Sequence, residues 1–250
     1  MKAVKDYLDS TYLKTPQQSG LSPEETHKAV MDLVREAMQY HFYAVMIRPE
    51  YVKEVKDYLT QQNSSVKVGT VIGFHEGTYS TAEKLAEAKQ AIQDGADDLD
   101  FVTNYVAYKN GEIDKVKSEI LEATRLGLEA GKTVKWILEI AALSDEQIAS
   151  FTKNISQWVE EAFPGREEYV FVKSSTGFYK TEGGKPNGAT VEGIKIMLEN
   201  CGKLPVKPAG GIRTHEDAVK MIEMGVKRIG TSSAKALSGE SNHQASDSDY

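Results

Sequence analysis

Eight short β-branched or apolar runs recur along the chain, each separated from the next by a longer amphipathic stretch. This alternation constrains the fold more than any other feature of the sequence. The runs are YLDSTYL near residue 8, FYAVMI at 42–47, VKVGTVIGF at 66–74 and DLDFVTN at 98–104. VKWILEI at 134–140, YVFVKSS at 169–175, PVKPAG at 205–210 and KRIGTS at 227–232 complete the set. Between them, helical patterning covers 23–39, 81–93, 113–130, 145–161, 190–200 and 216–224. Ser22 before Pro23 and Ser144 before Asp145 are good helix starts, and Gly95, Gly131, Gly202 and Gly225 stand where helices should end. Strands that alternate with helices pair in parallel through right-handed crossovers. An open doubly wound sheet is the competing arrangement. The count of eight favours closure, and the expected fold is an α/β single-domain (β/α)8 TIM barrel over residues 1–237. The remainder, 238–250, reads SGESNHQASDSDY and is expected to form a flexible C-terminal tail.

Composition narrows the function classes. The chain has 250 residues, the usual size of one such barrel, and a net charge of −7 with no basic block interleaved with aromatics. Nucleic acid is therefore not an expected partner, and an anionic substrate would need a local cluster of donors. Cys201 is the single cysteine, which excludes an intrachain disulfide and a cysteine-based zinc site. None of His27, His41, His75, His215 and His243 stands at HExxH spacing, and metal catalysis loses most of its support. No apolar run reaches the ~20 residues of a membrane span. The opening MKAVKDYLDS is too charged for a signal peptide, and the expected location is cytoplasmic.

Barrel enzymes draw their chemistry from the C-terminal ends of strands and the loops that follow. Lys173 ends the apolar run Val170-Phe171-Val172, where burial disfavours a charged amine. A lone lysine there could simply snorkel out of the strand end. Lys207, in the seventh strand, changes that reading. Two lysines facing one interior repel each other and drive one toward the neutral amine that attack on a carbonyl requires. Each could equally pair with a carboxylate such as Glu139 or Asp100, and both readings can coexist. In GADDLDFVTN, Leu99 and Phe101 share one face while Asp100, Val102 and Asn104 share the other. If the apolar pair packs on the helices, Asp100 enters the barrel, where it can pair with a lysine and relay protons; taken alone, the segment equally allows a structural carboxylate at a loop end. Asp97 and Asp98 are expected to be solvated or capping acids.

VKPAGGIRT and RIGTSS form a second constellation. Gly210-Gly211 permits close backbone approach to a ligand. Gly230-Thr231-Ser232-Ser233 leads into a short helix whose start offers N–H groups and hydroxyls to an anion. Loops after strands seven and eight are the recurrent phosphate site of these barrels.

Taken together, these segments resemble deoxyribose-phosphate aldolase, a class I, Schiff-base aldolase family. VFVKSSTGF matches the Schiff-base segment, VKPAGGIRT the segment with the second active-site lysine, and GADDLDFV the one with the catalytic aspartate. The resemblance runs from LDSTYLK through VIGFHEG to RIGTSS. It implies reversible cleavage of 2-deoxy-D-ribose 5-phosphate to D-glyceraldehyde 3-phosphate and acetaldehyde, with no cofactor. Lys173 would be the covalent nucleophile, with Asp100 and Lys207 moving protons. It further implies that Thr176, Gly177, Gly210, Gly211, Gly230, Thr231, Ser232 and Ser233 hold the phosphate, with Asp9 and Thr11 near the substrate. Tyr250 is either a terminus with no role or a proton relay carried on the tail, since some members also end in a flexible tail with a terminal tyrosine. A small phosphorylated sugar and aldehydes are the implied partners, and a homodimer is compatible with the pattern.

The sequence departs from the commoner family pattern at Ser10, Met46, Arg48 and His75-Glu76. A thioether at Met46, where many members have cysteine, is expected to resist aldehyde-derived electrophiles. Two rivals remain: an aldolase of the same barrel type acting on another substrate, and a non-catalytic sugar-phosphate-binding barrel. Binding phosphate alone needs none of Lys173, Lys207 and Asp100.

Overall fold

In the computed structural model, which describes residues 3–239, the eight expected strands form one parallel sheet in the order β7-β6-β5-β4-β3-β2-β1-β8. They are β1 (Leu8–Tyr12), β2 (Ala44–Ile47), β3 (Lys67–Ile72), β4 (Asp98–Val102), β5 (Thr133–Ile137), β6 (Val170–Lys173), β7 (Val206–Lys207) and β8 (Ile229–Thr231). The helices are α1 (Pro16–Ser19), α2 (Pro23–Tyr40), α3 (Val52–Gln61), α4 (Thr81–Gln93) and α5 (Tyr105–Lys109). They continue with α6 (Ile113–Glu129), α7 (Asp145–Ala162), α8 (Val191–Asn200), α9 (His215–Met224) and α10 (Ala234–Ser238). The expected (β/α)8 barrel is the observed fold.

Local chemistry starts and stops the helices where the sequence suggests. Ser22 accepts from the Glu25 N–H while the Glu25 carboxylate takes the Ser22 N–H, and Ser144 makes the same exchange with Gln147. Gly225 closes α9 with φ 111°, a conformation that a side chain would resist. Apolar residues of alternate strand positions face the helix ring. Gly127 of α6 lies so close to the sheet that an added Cβ would stand 2.3 Å from Val134. Trp136 stacks on Phe101 at 5.0 Å and donates its indole N–H to Thr124. Each fully buried side chain of this layer stabilises the fold by about 1.5–3 kcal/mol.

Closure differs from the expected regular strand over 205–210. β7 has only two residues, because Pro208 has no N–H to continue a ladder. Isolated bonds close the seam instead: Lys227 N–H to the Val206 carbonyl at 3.0 Å, and Gly230 N–H to the Pro208 carbonyl at 2.9 Å. Gly210 N–H then reaches the Gly230 carbonyl at 3.3 Å. Among the described residues no helix is long and apolar enough to cross a membrane. Tyr250 and nearly all of the tail lie outside the described residues.

Candidate active site

Strand alternation decides which side chains enter the barrel. Along β4, Leu99 and Phe101 join the core beneath the helices, while Asp98 and Asp100 turn inward. Along β5, Val134 and Trp136 face outward and Lys135 inward. Register places Asp100 beside Lys135, and Lys173 beside Lys207 on adjacent strands. Lys173, Lys207 and Asp100 therefore meet, as the sequence pattern suggests.

The carboxylate of Asp100 accepts from three lysines. Lys135 Nζ donates to its Oδ1 at 2.7 Å, and Lys173 and Lys207 share its Oδ2 at 3.0 and 2.9 Å. Lys135 also reaches Asp98 Oδ2 at 2.7 Å, and Arg228 Nη2 approaches the same oxygen at 3.1 Å. Arg228 holds Asp9 through Nε at 2.7 Å and through a second, shorter contact from Nη2. Asp9 Oδ2 then lies 2.6 Å from Lys207 Nζ, as an ion contact rather than an aligned hydrogen bond. The chain of contacts closes on itself as Asp9, Lys207, Asp100, Lys135, Asp98, Arg228 and back to Asp9. It alternates acid and base, and Lys173 hangs from it at Asp100.

Burial and charge separate these groups electrically. Burial opposes ionisation of Asp100, but Lys135, Lys173 and Lys207 outweigh it and hold the carboxyl well below the usual range. For Asp9, likewise, burial is overcome by Arg228, Lys207 and Lys135, and its pKa is lowered. Burial also works against a charged Lys207, yet Asp100 and Asp9 raise it. Lys173 goes the other way: burial, opposed by Asp100 but reinforced by Lys207 and Lys135, brings it down to about 8. Repulsion from Lys207 thus contributes to the neutral amine, but burial is the larger cause.

Glu139 follows β5 in a left-handed backbone conformation, φ 59°, which is unfavourable for a residue with a side chain. Its Oε2 accepts from the Thr176 N–H at 3.2 Å and from the Thr176 hydroxyl, whose oxygen accepts the Phe178 N–H at 3.0 Å. Oε1 is buried without a hydrogen-bond partner. Burial pushes this carboxyl up to about 7, against the lowering effects of Thr176 and of Lys173. Glu139 thus anchors the loop after Lys173 and does not pair directly with either lysine.

The other sequence-designated residues divide between the strands of the barrel and the loops that follow them. Thr11 is buried in β1 with its hydroxyl on the Asp9 carbonyl. Gly230 sits in β8 with its backbone spent on closure, and an added Cβ would meet Lys207 Cε at 3.2 Å. The absence of a side chain at Gly230 therefore makes room for the lysine. Thr231 accepts the Ser233 N–H at 3.0 Å, just before α10. Gly177, Gly210 and Gly211 all have positive φ, and Gly211 lines a cavity of about 480 Å³ with Lys185, Asn187, Gly188 and Arg213. Met46 is fully buried in β2 against Gly69, where a Cβ would lie 2.2 Å from its sulfur. Arg48 donates to the Leu13 carbonyl and lies over Phe74, beside His75.

Sequence reasoning missed Lys135, Arg228 and the mouth cations Lys185 and Arg213, and it misplaced Asp98. Asp98 is 2% exposed and ion-paired, not a solvated or capping acid, because it shares the inward face of β4 with Asp100. Asp97, on the other face, accepts from Lys56 and from the Val68 N–H. The alternation that found Asp100 would have found Asp98, and applied to VKWILEI it would have found Lys135. Arg213 stands within VKPAGGIRT itself. Among the described residues no group of three His, Cys, Asp or Glu side chains could hold a metal ion.

The profile of the family described as DeoC/LacD family aldolase matches residues 13–244. The deoxyribose-phosphate aldolase of Thermococcus kodakarensis is 43% identical over 233 residues, 93% of this chain and 94% of its own. That of Lactiplantibacillus plantarum is 39% identical over 235 residues, 94% and 98% of the two chains. Among solved structures, QR15, an aldolase, has a TM-score of 0.79 at 34% identity and 96% coverage of both chains. The tetrameric deoxyribose phosphate aldolase of Aeropyrum pernix has a TM-score of 0.76 at 28% identity, with 95% of this chain and 90% of that one covered. With a buried amine set against a shared carboxylate in a barrel that matches along nearly its whole length, the chain belongs to the DeoC/LacD family of aldolases and is an enzyme of the lyase class.

Proposed function

We propose that the chain reversibly cleaves 2-deoxy-D-ribose 5-phosphate to D-glyceraldehyde 3-phosphate and acetaldehyde through a Schiff base on Lys173. The observation that carries this reading is the contrast between two adjacent buried lysines. Lys207 is held charged by two carboxylates, whereas Lys173 is brought down to about 8. The neutral Nζ of Lys173 attacks C1 of the open-chain sugar to give a carbinolamine, which loses water to form an iminium. Removal of the C3 hydroxyl proton breaks the C2–C3 bond. Its electrons pass to the iminium nitrogen, leaving an enamine and releasing glyceraldehyde 3-phosphate. Protonation of the enamine carbon and hydrolysis release acetaldehyde and restore the amine. Asp100 and Lys207 move the protons, through water where the substrate carbon lies beyond their reach.

At the phosphate end, Gly177, Gly210 and Gly211 allow backbone approach, and Ser232 and Ser233 stand at the start of α10. Lys185 and Arg213 line the neighbouring cavity and supply the local positive charge that the chain's net charge of −7 makes necessary. Ser232→Asp or Ser233→Asp places a like charge against the phosphate. Each should reduce the kcat/KM preference for phosphorylated over plain deoxyribose by about 10-fold or more. An unchanged ratio in both variants would move the phosphate elsewhere.

The direct test of the mechanism is borohydride reduction in the presence of acetaldehyde, followed by peptide mass mapping. The expected product is a single ethyl adduct on the peptide that carries Lys173. Labelling of Lys135 or Lys207 in its place would overturn the assignment. Cleavage of a ketose phosphate in preference to deoxyribose phosphate would keep the chemistry and replace the substrate.

A further inference from the structure

Arg228 lies just before β8 at the foot of the barrel, 4% exposed, with its guanidinium 3.5 Å from the ring centroid of Tyr43. It touches none of the groups assigned to the reacting atoms, yet it closes the loop of contacts beneath them. The closed set holds three carboxylates, Asp9, Asp98 and Asp100, and three cations, Lys135, Lys207 and Arg228. Every acid has two basic neighbours within the set and every base has two acidic ones. The set is therefore neutral without Lys173. Lys173 reaches it only through Asp100 Oδ2, an oxygen that already accepts from Lys207.

We propose that Arg228 is a positioning residue for the reaction: its fixed charge completes the neutralisation of the three buried aspartates and leaves Lys173 as the surplus base that can give up its proton. Arginine suits this place because it cannot deprotonate and its planar fork holds two carboxylates at once. A barrel without that charge would keep three aspartates against two cations, and the third proton-bearing partner would be Lys173. The aspartate freed from Arg228 would also compete for Lys207 or Lys135 and release Asp100 to Lys173. Both effects act in the same direction, toward a protonated nucleophile.

The other groups that face Lys173 do not change this count. Glu139, beyond β5, is the fourth acid near the amine and is itself pushed toward its neutral form by burial. From β2 and β3 the inward positions are Ala44, Met46, Gly69 and Val71, which carry no charge, and Lys67, which opens β3 on the same face and is exposed to solvent. The Tyr105 phenol near Glu139 is driven up to about 12 by burial first and then by Glu139, and stays neutral.

The inference rests on the Schiff-base reading of Lys173, and the experiment separates the two. The rate of reductive trapping by acetaldehyde and cyanoborohydride is followed against pH in the full-length enzyme, with the adduct located by peptide mass. If the wild type carries no adduct on Lys173, the Schiff-base reading fails. Given that adduct, Arg228→Met should move the acid limb of trapping upward by about 1 pH unit. Arg228→Lys keeps the charge and should leave the limb near the wild-type position. Asp98→Asn removes one negative charge and should move the limb downward, and the Arg228→Met/Asp98→Asn double variant should bring it back toward wild type. A merely structural role for Arg228 would lower stability without these opposite shifts. A folded Arg228→Met variant with an unmoved limb, or equal shifts in the Met and Lys variants, would overturn the proposal. Where Arg228→Met does not fold, an unmoved or raised limb in Asp98→Asn would overturn it as well.

Discussion

Lys173→Arg and Lys173→Met are both expected to lose deoxyribose 5-phosphate cleavage by a factor on the order of 10⁴ or more, because under the proposed mechanism they remove the covalent nucleophile and with it the route itself. Arginine retains the charge but has no neutral form at usable pH. The loss should not come from misfolding. Lys173 has a folded-state value of about 8 against an ordinary 10.5, so its charged form is less comfortable in the fold than in water. That penalty is fully present below pH 8 and is relieved as pH rises toward the unfolded value. Lys173→Met should therefore unfold at no lower urea concentration than the wild type at pH 7, with a gain on the order of 1–3 kcal/mol. The gain should shrink as pH is raised from 8 toward 10.5. Measurable turnover by the arginine variant would remove the Schiff-base assignment. A large loss of stability in the methionine variant would mean that the amine is chiefly a structural partner of Asp100.

Asp100→Asn should damage both stability and chemistry. The carboxylate is fully buried and accepts from Lys135, Lys173 and Lys207 together. An amide leaves those cations without its charge, and breaking a buried ion pair on one side costs about 3–5 kcal/mol. The variant should unfold at a markedly lower urea concentration. Loss of Asp100 also removes the charge that opposes deprotonation of Lys173, so the acid limb of adduct formation should move downward. Trapping would then persist at lower pH while cleavage falls by about 100-fold or more for want of a proton carrier. Wild-type stability in this variant would show that the lysines have other partners. An unmoved acid limb would show that Asp100 does not set the nucleophile.

The two residues behind these expectations could both be reached from the sequence alone. Lys173 follows three apolar residues at a strand end, and its environment is legible there because a pleated strand sends alternate side chains to opposite faces. Asp100 was legible for the same reason, between Leu99 and Phe101. The limits were also local. Asp98 and Lys135 obey the identical alternation, but an acid beside two other acids, and a lysine beside a tryptophan, read equally well as solvated positions when no partner is visible. Arg228 offered still less, since β8 is only three residues long and its pattern is too short to assign a face.

What the sequence by itself determined was the number of strands, their alternation with helices, the residues that start those helices, and the presence of two lysines and an aspartate on inward faces. These follow from backbone periodicity and capping, which act over a few residues. Only the tertiary structure decided which acid serves which base. Arg228 and Asp9 are 219 positions apart, and Lys207 and Asp100 are 107 apart. Their pairing depends on the stagger of the closed sheet and on closure through Pro208 and Gly230. The lowered pKa of Lys173 belongs to that level too. Its amine is pushed toward neutrality by burial, and every aspartate within the closed set already has two cationic neighbours, a balance that exists only once the barrel has brought β1, β4, β5, β7 and the start of β8 around one interior.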